Sequence, residues 1–272
     1  MIFQLDDLEQ ESIKEANEKG MIFTYQGDDY YFKKEKRKYN YLYEVIASKI
    51  AKRMNISCCE YYIGEKNHRY GAVSKRFDTT TYSSMNYLLK DFYKTQIAEV
   101  NNNLEAIDNF FYQKFGKEIQ ERLMDDLVNI FLFDVIIGNS DRHSNNYGLV
   151  KTNDNIEFAP LFDNENMLSR LSLLYGFYAL GVDEDDFVYN FYFMSSKNIS
   201  ILYKFLERSS YEYLERLEKF LPAIDRKEII NIFEEIEEEI EIDGNTKRQI
   251  IQLFQVNKNY IESECQKTYK KE

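Results

Sequence analysis

The chain of 272 residues carries a formal net charge of −12, with 30% charged and 16% aromatic side chains. That length supports one large domain or two lobes with substantial cores, and the aromatic content excludes a disordered chain. The acidic balance argues against nucleic acid as the main partner, and no apolar run or signal-like start points to a membrane.

Only two prolines and ten glycines predict a helix-rich molecule with few tight turns. Asp6 to Lys19 is charged, with Leu8, Ile13 and Ala16 as its apolar positions, and reads as a surface helix ended by Gly20. Met21 to Tyr25 and Tyr30 to Lys34 are β-prone runs around Gln26-Gly27-Asp28-Asp29, a hairpin. Alternation along the second strand sends Lys33 and Lys34 to opposite faces, Tyr31 with Lys33 and Phe32 with Lys34. Tyr41 to Met54 reads as a helix with Leu42, Val45, Ile46, Ala47 and Ile50 on one broad face and Glu44 beside it. Ser57 to Ile63 is strand-like, Glu65 to Arg69 a polar turn and Tyr70 to Phe77 the last strand of this part. Cys58, Cys59 and Cys265 lack metal-ligand spacing and read as reduced thiols, which suits a cytoplasmic protein; secretion without a classical signal peptide stays open. Thr79 to Ser84 is a Thr/Ser/Tyr linker, which puts a lobe boundary near residue 78: a sheet-containing lobe over 1–78 and a helical lobe over 79–272.

Helical spacing of Leu123, Leu127, Ile130, Phe131 and Ile137 predicts a buried helix from Lys117 to Ile137. Asp134 falls on its buried stripe, where a carboxylate is costly unless hydrogen-bonded, so it is expected to accept bonds from Arg142 or the following loop. That loop, Asn139 to Asn146, is almost wholly polar. Tyr147 to Val150 and Ile156 to Phe158 then form a hairpin about Thr152 to Asn155, bringing Asp163 back beside Asp141 and Asn146. A carboxylate, an amide five residues on and a second carboxylate after a hairpin suit phosphoryl transfer: one group near the attacking hydroxyl, two hard oxygen ligands for magnesium. His143 stands two residues past Asp141, but no Ser or Cys nucleophile partners it, so hydrolase triads have nothing to rest on.

The runs Gly138-Asn139-Ser140-Asp141-Arg142-His143, with Asn146 and Gly148, and Ala159-Pro160-Leu161-Phe162-Asp163 resemble the HipA-like serine/threonine kinases. They are especially similar to the compact cell-translocating branch of that family. The likeness is close over Leu123 to Asp163 and loose over Tyr30 to Phe77. It implies an α+β, bilobal protein-kinase-like fold, with ATP and Mg2+ as cofactors and a protein serine or threonine as acceptor. Asp141 is then the catalytic base, Asn146 and Asp163 the metal ligands, and Lys33, paired with Glu44, the grip on the phosphates. Backbone groups near Lys75, Arg76 and Phe77 would meet the adenine, and Asp134, Arg142 and His143 would support the loop. An antitoxin-like or regulatory partner is also implied. No G-x-G-x-x-G precedes Lys33, where only Gly20 and Gly27 are available. Two other readings of the same residues stay open: a lipid or small-molecule kinase, and a non-catalytic binding module of toxin–antitoxin type.

Beyond Asp163, Met167 to Leu180 is placed as an activation segment or peptide surface, with an acidic turn at Asp183 to Asp186. Arg226 to Ile242 predicts a helix with a solvated glutamate face, and Asp243-Gly244-Asn245 separates it from a last helix over Thr246 to Gln266.

Overall fold

A computed structural model describes residues 2–35, 39–77, 81–94, 104–139, 142–152, 155–168 and 212–269. Its first part is a six-stranded sheet of β1 (Ile2–Gln4), β2 (Ile13–Ala16), β3 (Gly20–Tyr25), β4 (Asp28–Lys34), β5 (Tyr61–Lys66) and β6 (Arg69–Lys75). The order across it is β1-β5-β6-β4-β3-β2, antiparallel throughout except for β1 beside β5. Gln26 and Gly27 turn β3 into β4 with φ of 51° and 87°, the left-handed pair that a two-residue hairpin turn demands. Asn67 and His68 do the same between β5 and β6, so the turn is shorter than the Glu65 to Arg69 stretch expected.

The helix expected over Asp6 to Lys19 does not form. A short 3-10 turn at Gln10–Ser12 leads into β2, which pairs with β3. Three apolar positions in fourteen residues are too few for a buried helical stripe. Leu8 and Ile13 pack instead on Phe3, Leu5, Met21, Phe23, Phe32 and Val73 on the outer face of the sheet. Gly20 begins β3, and the Asn17 side chain shapes the turn by accepting the Lys19 and Gly20 N–H groups.

Helix α1 (Asn40–Arg53) covers the inner face of the sheet, with Leu42, Ile46, Ala47, Ile50 and Ala51 fully buried. Its packing is continuous with the helices that follow: α2 (Met85–Tyr93), α3 (Leu104–Phe115), α4 (Lys117–Ile137), α5 (Glu212–Phe220), α6 (Arg226–Glu237) and α7 (Gly244–Tyr269). Part of the expected linker is a strand, β7 (Tyr82–Ser84), which joins β8 (Gly148–Thr152) and β9 (Asn155–Phe158) in a small second sheet. The glutamates of α6 are not all a solvated face. Glu235 pairs with Lys49 at 2.6 Å and Arg53 at 3.0 Å, and Glu228 with Arg53 at 3.2 Å, tying α6 to α1. Beyond Leu168, the expected activation segment and the acidic turn at Asp183 to Asp186 lie outside the described residues. Among the described residues, no helix is long and apolar enough to cross a membrane.

Candidate active site

Helix α4 ends at Gly138, whose φ of 62° closes the helix in the left-handed conformation glycine adopts without strain. The Val135 and Ile136 carbonyls in this last turn accept from Asn257 Nδ2 of α7, at 3.0 and 2.9 Å, and Val135 also accepts the Gly138 N–H. The end of α4 is thus held fast where the polar loop begins.

Arg142 organises that loop. Its side chain is almost fully buried, and its donors reach α4, the loop at Asn146 and the turn at residues 162–164. Nε meets Asp134 Oδ2 and Nη2 meets Asp134 Oδ1, both at 3.0 Å. Nη1 donates to the Asn146 carbonyl at 3.1 Å and the Phe162 carbonyl at 2.7 Å, and Nη2 to Asn164 Oδ1 at 2.5 Å. One planar cation therefore fixes the loop carrying Asn146 and the turn carrying Asp163 onto α4. Burial pushes the Asp134 carboxyl upward, while Arg142 and the Asn139 amide at 2.9 Å pull it back. His143 is exposed, and its Nδ1 accepts the Asn145 N–H at 3.3 Å, so it supports the loop by one local bond rather than by packing. Asn146 is buried, and its N–H donates to the His143 carbonyl. Asp141 lies outside the described residues.

Asp163 reaches the sheet by a different route. Leu161 lies against Cys58, donating its N–H to the Ser57 carbonyl and accepting from the Cys59 N–H, so residues 161–164 run beside the entry to β5. Burial lifts the Cys59 thiol to about 12, which leaves it a packing group. Asp163 itself has φ 61°, a left-handed conformation aspartate tolerates better than most side chains and one common at functional sites. Its Oδ1 is 2.5 Å from Lys33 Nζ, across 130 residues of sequence. Lys33 also meets Glu165 at 2.9 Å and Glu44 Oε1 at 3.4 Å. Glu44 is only 1% exposed, and its Oε2 accepts the Asn164 N–H at 2.8 Å. Burial raises its carboxyl to about 7 against the pull of Lys33 and Asn164. For Lys33, burial alone would favour the neutral amine, but Glu44 and Asp163 outweigh it and hold the ammonium above its ordinary range. Glu44, Asp163 and Glu165 have oxygens within 4.8 Å of one another, a set the ammonium already bridges, so it reads as an ion-pair cluster rather than a metal cage.

Lys34, on the opposite face, is exposed, and its ammonium donates to the Asn17 carbonyl at 3.4 Å. Lys75 is also turned away, its ammonium 2.6 Å from Asp28, and Arg76 donates its N–H to the Asp29 carbonyl. Phe77 packs with Tyr82 and Phe162 at ring separations of 5.6 and 6.1 Å, an aromatic group where the chain leaves the first sheet. Sequence reasoning missed Tyr82, Asn164 and Glu165. The only signal for the last two was a polar triplet, Asn164-Glu165-Asn166, directly after an apolar run.

A family model for the HipA-like C-terminal domain matches residues 12–241. The chain belongs to the HipA-like family. No curated protein matches the sequence significantly. Among solved structures, the proinflammatory kinase CtkA of Helicobacter pylori superposes with a TM-score of 0.67 at 16% identity, over 94% of this chain and 97% of CtkA. HipA of Shewanella oneidensis MR-1, solved with HipB and operator DNA, gives 0.48 at 13% identity, over 97% of this chain and 67% of HipA. A thermostable mutant of the aminoglycoside phosphotransferase APH(4)-Ia gives 0.27 at 10% identity over 92% of each chain. This HipA-like chain thus has an α+β, bilobal, kinase-like fold, as the CtkA superposition shows.

Proposed function

We propose that the protein transfers the γ-phosphoryl group of ATP, with magnesium, to a serine or threonine of a protein. The observation that carries the reading is the meeting of Lys33 and Glu44 with Asp163, three groups from β4, α1 and the turn after β9. A lysine braced by a helix glutamate and facing a carboxylate is the arrangement kinases use to grip the α- and β-phosphates. Lys33 would bind them, and Glu44, locked by Asn164, would keep the ammonium aimed. The amide of Asn146 and carboxylate of Asp163 are hard oxygen donors of the kind magnesium takes, so the donor set fits the ion. Magnesium would supply neutralisation of the phosphate oxygens there. Asp141, four residues past Ile137 at the end of α4 and one before the anchored Arg142, would orient the acceptor hydroxyl and receive its proton. The Arg142 staple would set its reach by fixing the chain on either side.

In this reading the nucleotide lies between a small lobe ending near residue 78 and the helical lobe after it, with its adenine against the backbone at Lys75, Arg76 and Phe77. Side-chain identity at the first two would matter little, since Lys75 is committed to Asp28. Family membership makes an antitoxin-like or regulatory protein the partner to seek, and the cytoplasm the compartment. Incubating the protein with γ-labelled ATP, magnesium and, separately, protein, inositol-lipid and aminoglycoside acceptors tests the substrate class. Label in protein serine or threonine supports the proposal. Label only in a lipid or aminoglycoside replaces the acceptor, and no label in any arm favours a binding module.

A further inference from the structure

Lys33 has three N–H donors, and three carboxylates take them: Asp163 at 2.5 Å, Glu165 at 2.9 Å and Glu44 at 3.4 Å. With all groups ionised, three carboxylates against one ammonium leave a formal charge of −2 where a triphosphate would have to arrive. If Lys33 is to grip phosphate, one carboxylate must give way. Glu44 cannot, being buried with its second oxygen fixed by the Asn164 N–H. Asp163 sits on backbone anchored through Phe162 and Asn164 to Arg142, on a side chain too short to swing clear. Glu165 differs on each count. Its side chain is longer than that of Asp163 and, at 18% exposed, more open than that of Glu44, and its other bond among the described residues is a long one, from Asn40 Nδ2 at 3.5 Å.

We propose that Glu165 is a gating residue of the nucleotide site, a carboxylate that holds Lys33 in the nucleotide-free protein and is displaced from it by phosphate. This rests on the kinase reading of the site and adds a selectivity to it. A bare triphosphate meets Glu165 and Asp163 as like charges, whereas a metal-neutralised one does not. Glu165 therefore biases the site toward the metal complex of the nucleotide, without itself holding the metal. Like-charge opposition at close range is typically worth at least about a factor of ten in affinity.

Isothermal titration of the full chain with ATP, in EDTA and in excess magnesium, tests this with no catalytic readout. E165Q is expected to bind metal-free ATP about tenfold tighter than wild type and Mg-ATP tighter by a smaller factor, narrowing the preference for the metal complex. E165A repeats the test without an amide, and thermal unfolding of both variants without nucleotide checks that they fold. The gain should shrink in K33A E165Q, because the part that comes from freeing the lysine is lost while the part from removing a like charge stays. Unchanged metal-free affinity in both variants overturns the gate. So does weaker Mg-ATP binding with metal-free binding unaltered, which would make Glu165 a metal ligand. If wild type binds ATP in neither condition, the kinase reading itself falls, and the gate with it.

Discussion

Replacing Asp134 by alanine tests the scaffold beneath the site. The carboxylate takes two guanidinium bonds from Arg142 at 3.0 Å, and Arg142 is 4% exposed. Without it, the acceptors that the buried cation keeps among the described residues are neutral ones, the Asn146 and Phe162 carbonyls and Asn164 Oδ1. Breaking a buried pair from one side costs about 3–5 kcal/mol, far more than the pair contributes over an apolar replacement. At roughly 2–4 °C per kcal/mol for a chain of this size, D134A should melt roughly 6–20 °C below wild type. Urea unfolding followed by circular dichroism gives the same difference as a shift in midpoint. The reciprocal variant R142M leaves the buried carboxylate instead. Its folded-state pKa, already raised by burial, would then rise further above the unfolded value, so the folded chain binds the extra proton and the deficit shrinks as pH falls from 7 toward 5. A D134A loss below about 1 kcal/mol, the scale of an exposed pair, would refute the staple.

Other consequences follow from the same geometry. The Glu44 carboxyl, lifted to about 7 by burial, takes up a proton below that pH and weakens its hold on Lys33. The kcat/KM for ATP should therefore fall about tenfold per unit on the acid side of 7, and E44Q should have low activity with that limb flattened. Because the folded-state pKa is raised, Glu44 also makes the wild type lose stability as pH rises between about 4.5 and about 7, a slope absent from E44Q in urea titrations. An E44Q profile that keeps the wild-type acid limb would assign it to another group. N257A removes the side-chain donor shared by the Val135 and Ile136 carbonyls, of which Val135 keeps the Gly138 N–H, and should cost about 1–3 kcal/mol in urea unfolding. No change there would mean that water replaces the amide.

Periodicity found the elements that bury a continuous stripe. The limits of α4, Lys117–Ile137, follow from its apolar spacing and the glycine after it, and the β3–β4 hairpin from Gln26-Gly27. It failed where pairing rather than patterning decides. Ile13 to Ala16 is a strand because β3 offers a hydrogen-bonding edge, and β7 because β8 does, which no local composition shows. At the site, Asp134 was legible as a polar residue on an apolar stripe, and Lys33 as the strand lysine away from Phe32. Glu165 and Asn164 were not legible, since their partners Lys33 and Arg142 stand 132 and 22 residues away.

The decisive measurement is phosphate transfer from γ-labelled ATP by wild type, D141N and D163A, each with and without magnesium, with phosphosites read by mass spectrometry. The account predicts label on serine or threonine in the magnesium-containing wild-type sample, and background levels in both variants and in every metal-free sample. Equal labelling by D141N or D163A would contradict it.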